Sequence, residues 1–341
     1  MVQVLIADDS LLTRMVLKDL LAKDPEIRVI AEVSDGRQAV AETIRLRPDL
    51  VIMDVLMPVM DGLEAVTEIM ASCPTPILVL SANIDPTDSR SAFSAIQRGA
   101  LDVMEKPQGV VTEAFEEIAA RLVEKVKFLA RVKVIHHFRR QRPPLPKLAP
   151  PADGPRDILA IGASTGGPKA VMRLMKDLPR ESKARVLIVQ HIARGFAPGF
   201  AEWLDRESPF RVRLARDGDA LETGVALVAP NNVHMEVRNE RVCLIDTPPV
   251  NCCRPSIDVL YRSLASGALA PSVVAVLLTG MGRDGADGMA DLKRRGSYTI
   301  AQDESTCAVF GMPKAAIALG VVDQTLPLSA IPAALAQLLR R

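Results

Sequence analysis

The stretch Ile158-Leu159-Ala160-Ile161-Gly162-Ala163-Ser164-Thr165-Gly166-Gly167-Pro168 joins a short apolar run to a turn of small residues, and a helical pattern follows from Lys169 to Leu178. That order reads as a buried strand, a tight turn and a helix start. It holds Ser164 at the carboxyl edge of a sheet, near the partial positive charge of a helix N-terminus. The glycines allow a turn, and a close approach of other groups, that a Cβ resists. Such a place suits a nucleophile whose attack creates an oxyanion.

The next apolar strand, Val186 to Val189, ends in Gln190-His191. A dinucleotide loop would want G-x-G-x-x-G spacing and an acid about 20 residues on to hold a ribose. Gly162-x-x-x-Gly166-Gly167 misses that spacing, and a histidine region stands where the acid belongs. The pattern disfavours NAD and fits a serine–histidine pair across adjacent strands. Only four histidines exist. His136 and His137 fall in or beside a linker, and His234 sits on a probable strand after the Pro230-Asn231-Asn232 turn. His191 is therefore the favoured base. A third group should orient the imidazole. The strand Val273 to Leu278 runs into a glycine-rich loop that carries Asp284 and Asp287, and geometry read from the sequence does not choose between them.

The amino-terminal part alternates strand and helix. Val2 to Ala7, Arg28 to Val33, Asp49 to Met53, Pro76 to Leu80 and Ala100 to Met104 are apolar runs without alternation, separated by helical patterns and followed by a last helix from Thr112 to Phe128. Strands of this kind form a parallel sheet covered on both faces. Asp8, Asp9, Asp54, Ser81 and Lys106 all fall at the carboxyl ends of strands, the edge where open α/β sheets bind ligands. Crowded carboxylates repel one another. A hard cation such as Mg²⁺ relieves this and can carry an incoming phosphoryl group. Asp54 is placed to accept that group and Lys106 to pair with its oxygens.

Between the two parts, Arg139 to Pro155 contains six prolines. They block helix and sheet and favour extended chain, with a reach on the order of 50 Å. The expected organisation is residues 1–125, a helical end and linker over 126–155, and 156–341. The fold class expected is α/β, as two doubly wound parallel-sheet domains, the first flavodoxin-like and the second Rossmann-like.

Composition limits the function classes. Of 341 residues 48% are hydrophobic, and the net charge is only +1, so charge gives no reason to expect a nucleic-acid partner. One Trp and two Tyr make a poor stacking platform for single strands. No basic recognition helix follows the linker. The start MVQVLIADDS lacks a charged n-region, and no apolar run is long enough for membrane insertion. The five cysteines lack CxxC spacing, which fits a reduced cytoplasm, and the Cys252-Cys253 pair reads as packing rather than as a metal ligand or disulfide.

Residues Asp8-Asp9, Asp54 in Asp54-Val55-Leu56-Met57-Pro58, Asp61-Gly62, Ser81-Ala82 and Lys106-Pro107 resemble the receiver domain of two-component response regulators. The resemblance implies phosphorylation of Asp54 by a histidine kinase, Mg²⁺ at Asp8, Asp9, Asp54 and the carbonyl of Leu56, and a switch in which Ser81 turns toward the phosphoryl group. Val103 stands where receivers often carry an aromatic, so the switch would rest on Ser81 and helix shifts. The second part, through Ile161 to Pro168, Gln190-His191-Ile192, Arg254 to Asp258, Leu278 to Gly285 and Phe310 to Pro313, resembles the chemotaxis protein-glutamate methylesterase family. That resemblance implies Ser164 as nucleophile, His191 as base, Asp284 as orienting acid and the Met281 N–H as oxyanion contact, with Thr165 aiding positioning. The implied substrates are methyl-accepting chemotaxis receptors, and no cofactor is implied for the ester reaction.

Overall fold

Unalternated apolar strands must be covered on both faces, and the computed structural model shows how this is done. It describes residues 1–81, 93–107, 113–132 and 156–339. The chain divides into two compact units, Met1–Arg139 and Arg140–Arg341. The proline-rich stretch with His136 and His137 lies outside the described residues.

In the first unit β1 (Val2–Ala7), β2 (Ile27–Val33), β3 (Leu50–Asp54), β4 (Ile77–Ser81) and β5 (Asp102–Glu105) form one sheet in the order β2-β1-β3-β4-β5. Every pair is parallel. Helices α1 (Leu11–Ala22), α2 (Gly36–Leu46), α3 (Gly62–Ser72), α4 (residues 93–98) and α5 (Glu113–Leu129) alternate with the strands. Side-chain oxygens of Ser10, Asp35 and Asp61 accept from Thr13, Gln38 and Glu64 N–H and so start α1, α2 and α3. Val4, Ile6, Leu50, Ile52, Leu78 and Leu80 are buried beneath Leu17, Leu21, Leu122 and Val126. Gly62 is required where α3 begins, because a Cβ there would lie 2.0 Å from the Asp54 carbonyl oxygen.

The second unit is a seven-stranded parallel sheet in the order β14-β13-β12-β6-β7-β9-β8. Its strands are β6 (Ile158–Ala163), β7 (Arg185–Gln190), β8 (Arg211–Leu214), β9 (Val225–Val228), β12 (Val273–Leu277), β13 (Tyr298–Gln302) and β14 (Gln324–Leu326). The chain builds outward from β6 through β7 and then resumes on its other side at β12. Between β6 and β12 lies the switch point, where such sheets open a crevice. Helices α6 (Gly167–Lys176), α7 (Ala197–Glu207), α8 (Ile257–Ser266), α9 (Ala286–Arg294), α10 (Met312–Ala318) and α11 (Ile331–Leu338) complete the unit.

One element departs from the expected pattern. β10 (His234–Arg238) and β11 (Arg241–Ile245) form a separate antiparallel hairpin. Its two-residue loop, Asn239-Glu240, has positive φ at both positions, 51° and 59°, the backbone of the turn that best matches strand twist. No glycine marks this turn, so the sequence carried no hairpin signal there. Among the described residues, no helix is long and apolar enough to cross a membrane.

Candidate active site

The Ser164 turn forms because β6 runs straight into α6 with Gly166 in the left-handed region, φ 73°. Ser164 N–H donates to the Thr279 carbonyl at 3.0 Å, which ties the end of β6 to the end of β12. Thr279 Oγ1 donates to the carbonyl of Thr165, a buried residue, and accepts from Val309 N–H at 2.9 Å. On the other side, His191 N–H donates to the Ala163 carbonyl at 2.9 Å. The buried Gln190 amide donates to the carbonyls of both Ser164 and His191, at 2.8 and 2.9 Å. Three strand ends are thus laced together at one edge.

His191 Nε2 lies 2.9 Å from Asp284 Oδ2. A carboxylate can only accept, so Nε2 carries a proton, and in the neutral imidazole it is Nδ1 that presents the lone pair. Asp284 is itself heavily solvated by protein. Ser256 Oγ, Asn251 Nδ2 and the N–H groups of Ile257 and Asp258 all donate to it, at 2.7 to 3.2 Å. The last two are the first N–H groups of α8, so the helix dipole also favours the anion. Burial pushes Asp284 up, but His191, Ser256 and Asn251 outweigh it and hold the carboxyl at about 2. Burial likewise disfavours the His191 imidazolium, and the Cys253 sulfur and Asp284 overcome this and raise it above its ordinary value. Asp258, next to Asp284 and accepting from Asn251 and Gly288, is raised, chiefly by burial.

The alternatives left by the sequence separate clearly. Asp287 pairs with Arg283 at 2.7 Å, away from the imidazole. His234 is fully buried, with Nε2 donating to the Pro248 carbonyl and Nδ1 accepting from Ser256 N–H. It braces Ser256, which in turn holds Asp284. No protein acceptor among the described residues takes the Met281 N–H. Nor does either imidazole nitrogen bond Ser164 Oγ here, because Nδ1 faces Cys253 Sγ at 3.6 Å. The Cys252-Cys253 pair, read from the sequence as packing, divides between two environments. Cys252 is exposed, and Cys253 is half-buried against the imidazole. Asn251, Cys253, Ser256 and Gln190 are the site residues whose contacts sequence reasoning missed; Gln190 and Ser256 lie within the quoted motifs, and Asn251 and Cys253 within three positions of one.

In the first unit, Lys106 Nζ bridges Asp8 and Asp54 at 2.7 and 2.8 Å. All three side chains are buried. Asp54 Oδ1 also accepts from Val55 N–H at 2.7 Å. Burial raises Asp54, with Lys106 working against it and Asp8 with it. Burial lowers Lys106, and its bonds to Asp54 and Asp8 prevail and raise it. Asp8, Asp9 and Asp54 present carboxylate oxygens within 4.8 Å of one another, a hard all-oxygen donor set that fits Mg²⁺. Ser81 ends β4, buried, with its carbonyl accepting from Lys106 N–H. Leu56 follows β3, exposed.

Two family models match the chain. The response regulator receiver domain covers residues 4–115 and CheB methylesterase covers residues 159–335. A protein-glutamate methylesterase/protein-glutamine glutaminase of Anaeromyxobacter dehalogenans is 43% identical over the full length of both chains. One of Pyrococcus abyssi is 39% identical, over 97% of this chain and 92% of its own. The crystal structure of the Thermotoga maritima CheB methylesterase catalytic domain superposes with a TM-score of 0.51 at 36% identity, covering 54% of this chain and 98% of that one. Fold, strand-end chemistry and matches together define a response regulator whose output is an esterase domain. The chain belongs to the CheB methylesterase family.

Proposed function

We propose that this chain is a phosphorylation-regulated serine hydrolase of chemotactic adaptation, acting in the cytoplasm on methyl-accepting receptors. The observation that carries the reading is the His191–Asp284 pair, at the end of the strand next to the one that leads into Ser164, with Nδ1 as the nitrogen Asp284 leaves for a base. Ser164 Oγ attacks the γ-carbonyl of a glutamate methyl ester while its proton passes to His191 Nδ1. The carbonyl oxygen becomes an oxyanion that the Met281 N–H would stabilise, and Thr165 supports the turn. As the tetrahedral adduct collapses, Nδ1 returns the proton to the departing methanol. Water then attacks the acyl-enzyme with His191 again as base, leaving a glutamate carboxylate and free Ser164. The same cycle on a receptor glutamine releases ammonia in place of methanol.

The regulatory half follows from the first unit. Asp54 takes a phosphoryl group from the chemotaxis histidine kinase, as its carboxylate oxygen bonds phosphorus and the kinase imidazole leaves. Asp8, Asp9, Asp54 and the Leu56 carbonyl would hold Mg²⁺, which when bound neutralises phosphoryl charge. Lys106 is placed to pair with the phosphoryl oxygens and Ser81 to turn toward them. Phosphorylation then releases the esterase.

The test is methanol release from methylated receptor membranes, with and without a small-molecule phosphodonor. The wild-type chain should release methanol faster with the phosphodonor, and Ser164→Ala should release none. Full turnover by Ser164→Ala would remove the serine mechanism.

A further inference from the structure

The turn Val250–Cys253 is held at both ends, with Val250 N–H donating to the Cys253 carbonyl at 3.1 Å and Cys253 N–H to the Val250 carbonyl at 2.9 Å. Its two central residues, Asn251 and Cys252, have φ 52° and 60°. This tight turn does two things at once. It lays Asn251 on Asp284, and it fixes Cys253 Sγ 3.6 Å from His191 Nδ1.

That separation has a coordination meaning. Zinc bonds thiolate sulfur at about 2.3 Å and imidazole nitrogen at about 2.0–2.1 Å, with tetrahedral angles. Two such ligands on one ion sit about 3.5–3.6 Å apart by that geometry. In the neutral imidazole Asp284 keeps the proton on Nε2, so Nδ1 is the nitrogen that can take a metal, and binding displaces any proton it carries. A carboxylate behind the distal ring nitrogen is the arrangement that orients and strengthens histidine ligands. The sulfur, the imidazole and the carboxylate cluster within 4.8 Å, and neither Cys253 nor His191 is sealed from solvent, so water can complete the coordination shell. The donors are soft and borderline, unlike the all-oxygen set around Asp54.

We propose that Cys253 Sγ and His191 Nδ1 form a binding site for a thiophilic divalent cation, Zn²⁺ above all, whose occupancy shuts off the hydrolase. The metal takes the same lone pair that the serine proton needs, and Cys253 gives up its thiol proton to solvent on binding. Binding stands on geometry alone. Inhibition additionally rests on the hydrolase reading above.

The full-length chain is titrated with Co²⁺ as a spectroscopic probe and with Zn²⁺ in the methanol-release assay. Wild type and Cys252→Ser should show a sulfur-to-cobalt charge-transfer band that Cys253→Ser lacks. Each protein's Zn²⁺ response is scored against its own metal-free rate, and Cys253→Ser should need at least about tenfold more Zn²⁺ for half inhibition. In the wild-type chain, Zn²⁺ should protect Cys253 but not Cys252 from alkylation, read by mass spectrometry. A band that survives Cys253→Ser, equal Zn²⁺ sensitivity of the two proteins, or unprotected Cys253 would each overturn the site. A metal-free wild type without esterase activity would instead sink the hydrolase reading, and the cobalt band and alkylation would still decide the metal site.

Discussion

Asp284 meets His191 at Nε2, 2.9 Å away, and Cys253 Sγ meets it at Nδ1, 3.6 Å away, so in the proposed hydrolase Nδ1 is the nitrogen that would serve Ser164. The carboxylate is committed to this role by four other donors. It cannot swing toward another partner without leaving buried donors unpaired.

Replacing Asp284 with Asn removes the anion and allows the wrong tautomer. Turnover should fall on the order of 10³–10⁴-fold with little change in apparent substrate affinity. Steady-state methanol release measures both. A fall confined to KM would contradict an orienting role.

The pH dependence follows from the same pair. His191 must be neutral to accept a proton, and its folded value is raised, so kcat/KM should climb with pH and reach its midpoint above the ordinary imidazole value of about 6.5. Cys253→Ser removes one of the groups that raise it, and the midpoint should move to lower pH. The profile is measured with a metal chelator present.

Stability carries a matching signature. The Asp284 carboxyl is depressed from 3.8 to about 2. Its contribution of about 2 kcal/mol is present above its unfolded value and is lost as pH falls toward the folded one. Seen from His191, whose folded value is raised, the same contact is fully present below the ordinary imidazole value and fades as pH rises through the folded value. The two ends describe one interaction and are not summed. Acid unfolding should therefore separate wild type from Asp284→Asn at pH 5 and bring them together near pH 2, about the folded value.

Gly280 marks a close approach. A Cβ there would sit 2.7 Å from Ser164 Cβ and 2.7 Å from the Met312 side chain. Gly280→Ala should cost about 1–3 kcal/mol by overpacking and displace Ser164, lowering kcat on the order of 10²-fold. Denaturant melts and turnover measured together check this. Unchanged kcat would mean that Met312 alone absorbs the methyl group.

Lys106→Met leaves Asp8 and Asp54 buried without their cation. The first unit should lose about 3–5 kcal/mol, and added Mg²⁺ should restore part of it by binding the folded state. Thermal melts with Mg²⁺ and with chelator give the comparison. Equal melting of the variant in both conditions would argue against cation binding at these acids.

Much of this molecule was legible in one dimension. Parallel sheets made of unalternated apolar strands put every strand end on one edge. A polar residue directly after such a strand is therefore placed by topology, and Asp8, Asp54, Lys106, Ser164 and His191 could be singled out on that ground. The choice between Asp284 and Asp287 was not open to this argument. Both belong to one short stretch of sequence, Asp284 in the loop and Asp287 in the first turn of α9, and only packing against the start of α8 aims one of them at the imidazole. The same holds for Asn251 and Cys253, which approach from a turn with positive φ at non-glycine residues, a conformation no composition announces, and for Ser256, which approaches from the start of α8. The succession of strands and helices along the chain is a property of local pattern. Which side chains share a hydrogen bond across some 30 to 90 residues of chain depends on how helices and loops pack against those strands, and that was settled in three dimensions.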